Sequence, residues 1–275
     1  MQYIYAQGHF LPADTPFITA NDRSFRFGDG IFETILVVDG NMYDTDSHFA
    51  RLANGLNYFR IPLDISGLQT ICEEIIQKNA CNEGYVRIIA SRGTNGAGGL
   101  GYLPEKTEPY FVVQTVQKPF PSFQSLKLWV SSYQAHLHLP SKVNNAMLYT
   151  MALMEAKDHQ CENALILNSE HLICETATGN LFWVKNGILY TPELSLPFVP
   201  GTIRKRILTL SPLPVREGRY RLEEIRDADE VFMTNIGLLV SSISSIEPLG
   251  FQAKSVDYTR QFRATLEENI QSSVR

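Results

Sequence analysis

Cysteine is scarce: 275 residues hold four, Cys72, Cys81, Cys161 and Cys174, and no two form a C-x-x-C pair. That spacing excludes the common zinc and dithiol redox motifs. With apolar or helical neighbours, as in ICEEII, the four read as buried free thiols in a reducing compartment. A basic excess is lacking as well. The net charge of −5 weighs against a nucleic-acid-coating surface, although it leaves room for a local basic pocket that holds a small anion. No stretch nears the roughly 20 apolar residues of a membrane span. The opening MQYIYAQGHF has no basic n-region and no long apolar core, so no secretory signal is expected. Internal repeats and low-complexity segments are absent. These absences predict a soluble cytoplasmic protein with no metal, nucleic-acid or membrane partner.

What is present is a globular composition. Apolar residues make up 44% and charged residues 19%, too apolar and too weakly charged for a disordered chain. A core of this size needs no disulfide or metal staple. Tyr3–Tyr5 and His9–Leu11 read as a hairpin about Gly8, and ILVVDGNMYD as two strands joined at Asp39-Gly40. In DSHFARLANGLNYF, Phe49, Leu52, Leu56 and Phe59 recur at helical spacing, and Asp46 or Ser47 can cap the start. A second helix carries Leu68, Ile71, Cys72, Ile75 and Ile76 on one face. YVRIIAS and PYFVVQTV read as strands on either side of the glycine-rich TNGAGGLGY. The prolines of QKPFPSFQS interrupt the pattern and set a domain boundary near Lys118–Ser125, giving domains 1–118 and 119–275. The second half opens with the strand LKLWVSSY. A helix over Asn145–His159 is expected to turn Met147, Leu148, Met151 and Met154 inward. The strands ALILN, LICET, LFWVKNG, ILYTP and EVFMTN follow, with the helix IRKRILTL among them. On the last helix Tyr258, Phe262, Leu266 and Ile270 fall every fourth residue. The fold class read from this order is α+β with two domains.

Several residues carry candidate chemistry. Lys142, in LHLPSKVNNAML, follows a strand and a proline and precedes a helix. A lysine that forms imines must be partly neutral, so it needs a pocket and neighbours that lower its pKa. Taken alone, such a lysine is more often a solvated surface residue. Glu175, in LICETATGNLFW, ends an apolar strand at a turn of small residues. A carboxylate there can keep the ring nitrogen of a heterocycle protonated, or simply face water. Pro200-Gly201-Thr202 opens a helix whose N–H groups and positive dipole end can hold a phosphate, and Gly201 allows close approach. Many helices open this way without a ligand. Arg51, beside the apolar stripe of its helix, can grip a phosphate through two parallel hydrogen bonds or be an ordinary helix arginine. Thr234-Asn235-Ile236-Gly237 closes a strand with backbone N–H groups suited to a second phosphate contact, and alone it decides nothing.

Taken in order, DRSFRFGDGIFET, HFARL, SKVNN, ETATGNLFW, PGTIR and VFMTN resemble the class IV aminotransferase family, the fold-type IV pyridoxal phosphate (PLP) enzymes, over nearly the whole chain. The combination is specific although no single motif is. The resemblance implies pyridoxal 5'-phosphate as cofactor, with Lys142 as its Schiff-base lysine and catalytic base. It implies Glu175 facing the pyridine nitrogen and Arg51 on the phosphate. Gly201, Thr202 and Ile203 match the phosphate-binding helix start, Asn235 and Ile236 the second phosphate loop, and Thr178 belongs with the cofactor contacts. The implied fold has a smaller N-terminal α+β domain and a larger C-terminal domain with a β-barrel core, the cofactor lying between them. A homodimer is also implied, in which the loop Gly96–Gly101 could reach a neighbouring site.

The family includes branched-chain aminotransferases, D-amino acid aminotransferases and 4-amino-4-deoxychorismate lyase, which releases pyruvate to give p-aminobenzoate, a folate precursor. The Arg-x-His pair that D-amino acid aminotransferases carry after Arg-Gly-Thr is missing from SRGTNGAGGLGY. Met147 stands where branched-chain enzymes usually have a tyrosine, five residues after the lysine. Thr34, in GDGIFET, stands where the lyases have a threonine, which implies help in protonating the departing group. A threonine in a strand is otherwise an ordinary β-former. Arg26 and Arg92, beside family motifs, are candidates for substrate carboxylates or structural residues. The lyase is the expected branch. The alternatives are an aminotransferase acting on D-amino or branched-chain amino acids, and a catalytically inactive PLP-binding homologue. On either catalytic reading the substrate is a small-molecule amine.

Overall fold

The structure, a computed structural model, describes residues 1–94, 101–104 and 106–274. The chain divides into two compact units: Met1–Phe120 with Pro140–Ala146 and Ser273–Arg275, and Pro121–Leu139 with Met147–Ser272. A single cut at 118/119 does not anticipate the return of Pro140–Ala146, the segment that carries Lys142, to the first unit.

In the first unit β1 (Tyr3–Ala6), β2 (His9–Pro12), β3 (Gly30–Val38), β4 (Asn41–Met42), β5 (Gly84–Ser91) and β6 (Tyr110–Gln117) form one sheet in the order β2-β1-β6-β5-β3-β4. All its pairs are antiparallel. The expected hairpins form at Gly8 and at Asp39-Gly40, where φ is 50° and 75°, as a two-residue turn of this hand requires. Helix α1 (Arg23–Phe27) is short; α2 (Thr45–Tyr58) and α3 (Leu68–Lys78) supply the apolar cover. Alternation along β3 sends Ile31, Ile35 and Val37 into a core with Leu52, Leu56, Leu68 and Ile75. Phe32 and Thr34 therefore lie on the other face. The start of α2 differs from expectation. Neither Asp46 nor Ser47 caps it; the chain enters through Asp44 in a left-handed conformation (φ 55°) with no side-chain cap.

In the second unit the strands are β7 (Ser125–Val130), β8 (Asn163–Leu167), β9 (Ile173–Thr176), β10 (Asn180–Lys185), β11 (Ile188–Pro192), β12 (Val215–Gly218), β13 (Glu230–Asn235), β14 (Leu239–Glu247) and β15 (Phe251–Gln252). They run in the order β12-β11-β10-β13-β14-β7-β8-β9, with β15 on β14, and the mixed sheet curls into a half-barrel. Trp183, Met233 and Ile243 lie in its core. The helices are α4 (Met147–Asp158), α5 (Thr202–Leu210) and α6 (Asp257–Ser273).

The buried face of α4 corrects the sequence reading. Met147 and Met154 are 65% and 57% exposed, while Ala152 and Ala156 are buried against Ala164 and Ile166. Small residues let the helix axis approach the sheet closely, so Met147 and Met154 are turned out while Leu148 and Met151 are half-buried. On α6, Phe262, Leu266 and Ile270 are buried as expected, with Tyr258 half-buried beside the buried Thr259. A buried carboxylate from β13 caps this helix: Glu230 accepts from Tyr258 N (3.0 Å), Thr259 N (2.8 Å) and Thr259 Oγ1 (2.8 Å). The four cysteines are free and buried. Among the described residues no helix is long and apolar enough to cross a membrane.

Candidate active site

Lys142 rides on a backbone that is pinned to the start of β3. Phe32 N donates to Lys142 O (3.0 Å), Val143 bridges to Ile31, and Asn144 N donates to Gly30 O (2.9 Å). The Asn144 amide adds bonds to Ser24 Oγ (2.7 Å) and Ala90 O (3.1 Å). Ser141 is buried against Gly55, where a Cβ would meet Ser141 Cβ at 2.6 Å. That close approach accounts for a glycine in mid-helix, at a cost of about 1 kcal/mol relative to alanine. From this fixed main chain the Lys142 amine extends over Phe32, its Nζ 5.4 Å from the ring centroid. Thr34 shares the Phe32 face two residues on. Opposite Thr34 in register stands Arg87 of β5, its guanidinium 4.8 Å from the same ring. An amine, a hydroxyl and a guanidinium are thus assembled on one sheet face. The sequence reading passes over Arg87, because a lone cation in YVRIIAS looks like the wet side of a strand.

Arg51 is not a freely swinging arginine. Its Nε and Nη2 donate to Glu33 Oε1 and Oε2, both at 2.7 Å, and His48 Nδ1 lies 2.7 Å from Oε2. Glu33 is fully buried. Burial alone raises its pKa, but the Arg51 charge and the hydrogen bonds from Arg51 and His48 outweigh this and hold the carboxyl at about 2. Neither Glu33 nor His48 was among the sequence candidates. The available signal was a carboxylate in apolar phase, Ile31-Glu33-Ile35.

This pair makes a pH prediction. A carboxyl whose folded pKa is depressed stabilises the protein above its unfolded pKa and loses that stabilisation as pH falls through the folded value. Urea unfolding should therefore show stability declining from about pH 4.5 down to about 2. Glu33→Gln strands a buried guanidinium, so it should cost about 3–5 kcal/mol at pH 7 and flatten the decline. An acid profile identical to wild type would rule out Glu33 as its source.

Arg92 and Arg26 differ from each other. Arg92 Nε donates to both Asp29 oxygens (2.9 Å), Nη1 to Arg60 O (2.8 Å) and Nη2 to Phe59 O (2.7 Å). Every guanidinium nitrogen is bonded to the protein, which makes Arg92 a brace from the end of β5 to the end of α2 rather than an open carboxylate site. Arg26, in the last turn of α1, lies with its guanidinium 4.8 Å from the Phe27 ring centroid. Residues 96–100 of the glycine loop lie outside the described residues.

In the second unit Glu175 is buried in β9. Its Oε1 accepts from the Tyr149 hydroxyl (2.8 Å) of α4 and its Oε2 from Val199 N (3.3 Å). Burial, and then the Glu175 charge, push the adjacent Cys174 thiol up to about 12. The Tyr149 phenol is raised by burial first and by Glu175 second. Both neighbours stay neutral at ordinary pH.

Three further pieces meet where β9 and β13 end and β10 and β14 begin. In the turn after β9, Thr178 Oγ1 accepts from Asn163 Nδ2 (2.7 Å) and Thr178 O from Asn235 Nδ2 (3.0 Å). Asn235 Oδ1 in turn accepts from Leu238 N (2.7 Å), closing the turn that contains Ile236. Gly201 packs on Asn180, where a Cβ would meet Oδ1 at 2.1 Å, and Asn180 pairs with Thr234. Thr202 and Ile203 follow as the first residues of α5, a helix start with no side-chain cap. The glycine lets the start of α5 pack directly on Asn180, and the positive end of a helix favours an anion.

A family model described as amino-transferase class IV matches residues 30–246. The chain belongs to the class IV aminotransferases. That family is PLP-dependent. An aminodeoxychorismate lyase from Vibrio harveyi is 29% identical over 241 residues, 83% of this chain and 87% of that protein. A D-alanine aminotransferase from Staphylococcus aureus is 25% identical over 283 residues, 99% of each chain. The solved branched-chain amino acid aminotransferase from Escherichia coli has a TM-score of 0.89 at 22% identity, covering 100% of this chain and 96% of that one, a likeness of fold. The residues of this class IV chain fit the family's cofactor. They include an amine on a fixed backbone, a buried carboxylate with two donors, and a helix start that a Cβ would crowd.

Proposed function

We propose that this class IV enzyme is a lyase that converts 4-amino-4-deoxychorismate into p-aminobenzoate and pyruvate. The observation that carries the reading is Thr34, a hydroxyl on the face where the Lys142 amine lies over Phe32. PLP, when bound, supplies a protonated ring that takes up the electron pair left by a departing proton. Lys142 removes that proton from the substrate carbon bearing nitrogen. Glu175, held by Tyr149 and Val199 N, keeps the ring nitrogen protonated. Arg51, Thr178, Gly201, Thr202, Ile203, Asn235 and Ile236 hold the phosphate end. Thr34 relays to the departing enolpyruvyl oxygen the proton that Lys142 took up, and loss of that oxygen leaves an aromatic ring. The substrate carries two carboxylates, for which we assign Arg87 and Arg26, with Arg92 bracing the end of β5 against the end of α2. The working unit is a cytoplasmic homodimer.

Holoenzyme given aminodeoxychorismate and no keto acid should turn over many times, releasing p-aminobenzoate and pyruvate in equal amounts. Thr34→Val removes one hydroxyl and little volume. It should slow this release about 10- to 100-fold and leave PLP binding unchanged. A second reading, amino transfer, draws support from the likeness to the D-alanine aminotransferase of Staphylococcus aureus. Fast exchange between D-alanine or a branched-chain amino acid and 2-oxoglutarate, with no p-aminobenzoate formed, would establish that reading in place of the lyase.

A further inference from the structure

The turn between β13 and β14 is held from three directions. Asn235 Oδ1 accepts from Leu238 N (2.7 Å), which fixes the amide so that Nδ2 donates to Thr178 O (3.0 Å). The next residue, Leu239, is a buried non-glycine in the left-handed region, with φ 59°. Such a conformation persists only where the surroundings over-determine it, and over-determined strain collects at ligand sites. The third hold explains how it persists. Arg263 Nη1 donates to the carbonyls on both sides of Leu239, Leu238 O at 2.9 Å and Val240 O at 3.0 Å. Arg263 Nη2 donates to Pro121 O, and Nε to Glu267 Oε1 at 2.6 Å. Arg263 is itself buried, on α6.

We infer that Arg263 is a positioning residue, shaping the Asn235–Leu239 turn to receive a phosphate monoester. The inference rests on the reading above that Asn235 and Ile236 serve the cofactor phosphate. It goes beyond the family match, which ends at residue 246, whereas Arg263 comes from the helix after it. The guanidinium suits the task because it is planar and presents several donors in fixed directions. A lysine ammonium is a point donor and cannot serve Leu238, Val240, Pro121 and Glu267 together. Without the fork, Leu239 relaxes toward an ordinary conformation and the turn N–H groups lose their aim.

The test compares PLP with pyridoxal, which lacks the phosphate, on the full-length apoprotein. Dissociation constants for both are measured by fluorescence titration of wild type and Arg263→Lys. PLP should bind about tenfold more weakly to the variant while pyridoxal binding is unchanged. Amide hydrogen exchange over residues 236–240 should quicken in the variant relative to the rest of the unit. An unchanged ratio of PLP to pyridoxal affinity, whether both constants hold or both weaken equally, overturns the inference. A merely structural loss would weaken both alike. Wild type that shows no preference for PLP over pyridoxal would instead remove the phosphate reading itself, and this inference with it. If Arg263→Lys does not fold, Glu267→Gln loosens the same guanidinium from a half-exposed position and should shift the ratio about threefold; no shift there overturns the inference equally.

Discussion

Lys142→Ala is expected to lower turnover by about 10⁴-fold while the protein remains folded. The structural half of this expectation comes from where the lysine is held. Its main chain is fixed by Phe32 N, the Ile31–Val143 bridge and Asn144, and its neighbour Ser141 is wedged against Gly55. None of these contacts involves the lysine side chain. The side chain itself is half-buried, so truncation should change the unfolding free energy by at most about 1 kcal/mol. The chemical half follows from the proposed role of the amine, as both the attachment point for the cofactor and the base for the first proton transfer. Other lysines cannot substitute, since only this one is carried over Phe32 on the Thr34 face among the described residues. Borohydride treatment of wild-type holoenzyme followed by peptide mapping should label Lys142, and the variant should show no label. Methylamine, a free amine small enough to enter the space left, should restore part of the rate. A variant with more than a tenth of wild-type turnover would show that another group is the base.

Much of the fold was legible because its signals are local. Asp39-Gly40 calls for a turn with two positive φ values, and the spacing of Phe262, Leu266 and Ile270 allows one buried face. Helix α4 was not legible in the same way. MLYTMALM is apolar all round, so periodicity cannot select a face; the choice fell to side-chain size, and Ala152 and Ala156 went inward. The start of α2 misled for a different reason. Asp46 and Ser47 have capping side chains, but the backbone enters the helix earlier, through left-handed Asp44. The return of Pro140–Ala146 to the first unit depends on hydrogen bonds to the start of β3, which a scan for linkers does not register.

The candidate site divides along similar lines. Lys142, Arg51, Glu175 and the segments at Gly201 to Ile203 and Asn235 to Ile236 stand out as motifs. Their partners do not, because those are chosen by tertiary register. Glu33 meets Arg51 across a strand–helix contact, Arg87 meets Thr34 through pairing of β3 with β5, and Tyr149 reaches Glu175 from α4. Arg92 had two readings, carboxylate binder or structural residue. It sits beside a family motif and has the right charge, and Asp29, Phe59 and Arg60 accept from each of its three guanidinium nitrogens. Proximity to a motif identifies a neighbourhood; hydrogen-bond inventory decides which cation in it is available.

Glu175→Gln is expected to reduce turnover about a thousandfold with the fold and PLP binding retained. The substitution is nearly isosteric, and the site can accept it. A glutamine amide has one acceptor and one double donor, whereas the carboxylate accepts at both ends. Val199 N can only donate, so the amide oxygen must face it. The amide nitrogen then faces the Tyr149 hydroxyl, which can turn from donor to acceptor. Both contacts to residue 175 can be kept, at the cost of turning the Tyr149 O–H away from it. Loss of charge also relieves the neighbours: the Cys174 thiol, raised by burial and then by Glu175, should move down towards its ordinary value. What the amide cannot do is hold a proton on the ring nitrogen, because it has no negative charge to oppose that proton's departure. The rate should therefore fall in the chemical step, with kcat lowered and KM little changed. The absorbance of the bound cofactor should shift, because the charge beside its ring has gone. Glu175→Asp keeps the charge but withdraws it by one methylene, and should recover part of the lost rate. Near-wild-type turnover in Glu175→Gln, with the carboxylate gone and the hydrogen bonds intact, would mean that Glu175 is not the group that serves the ring nitrogen.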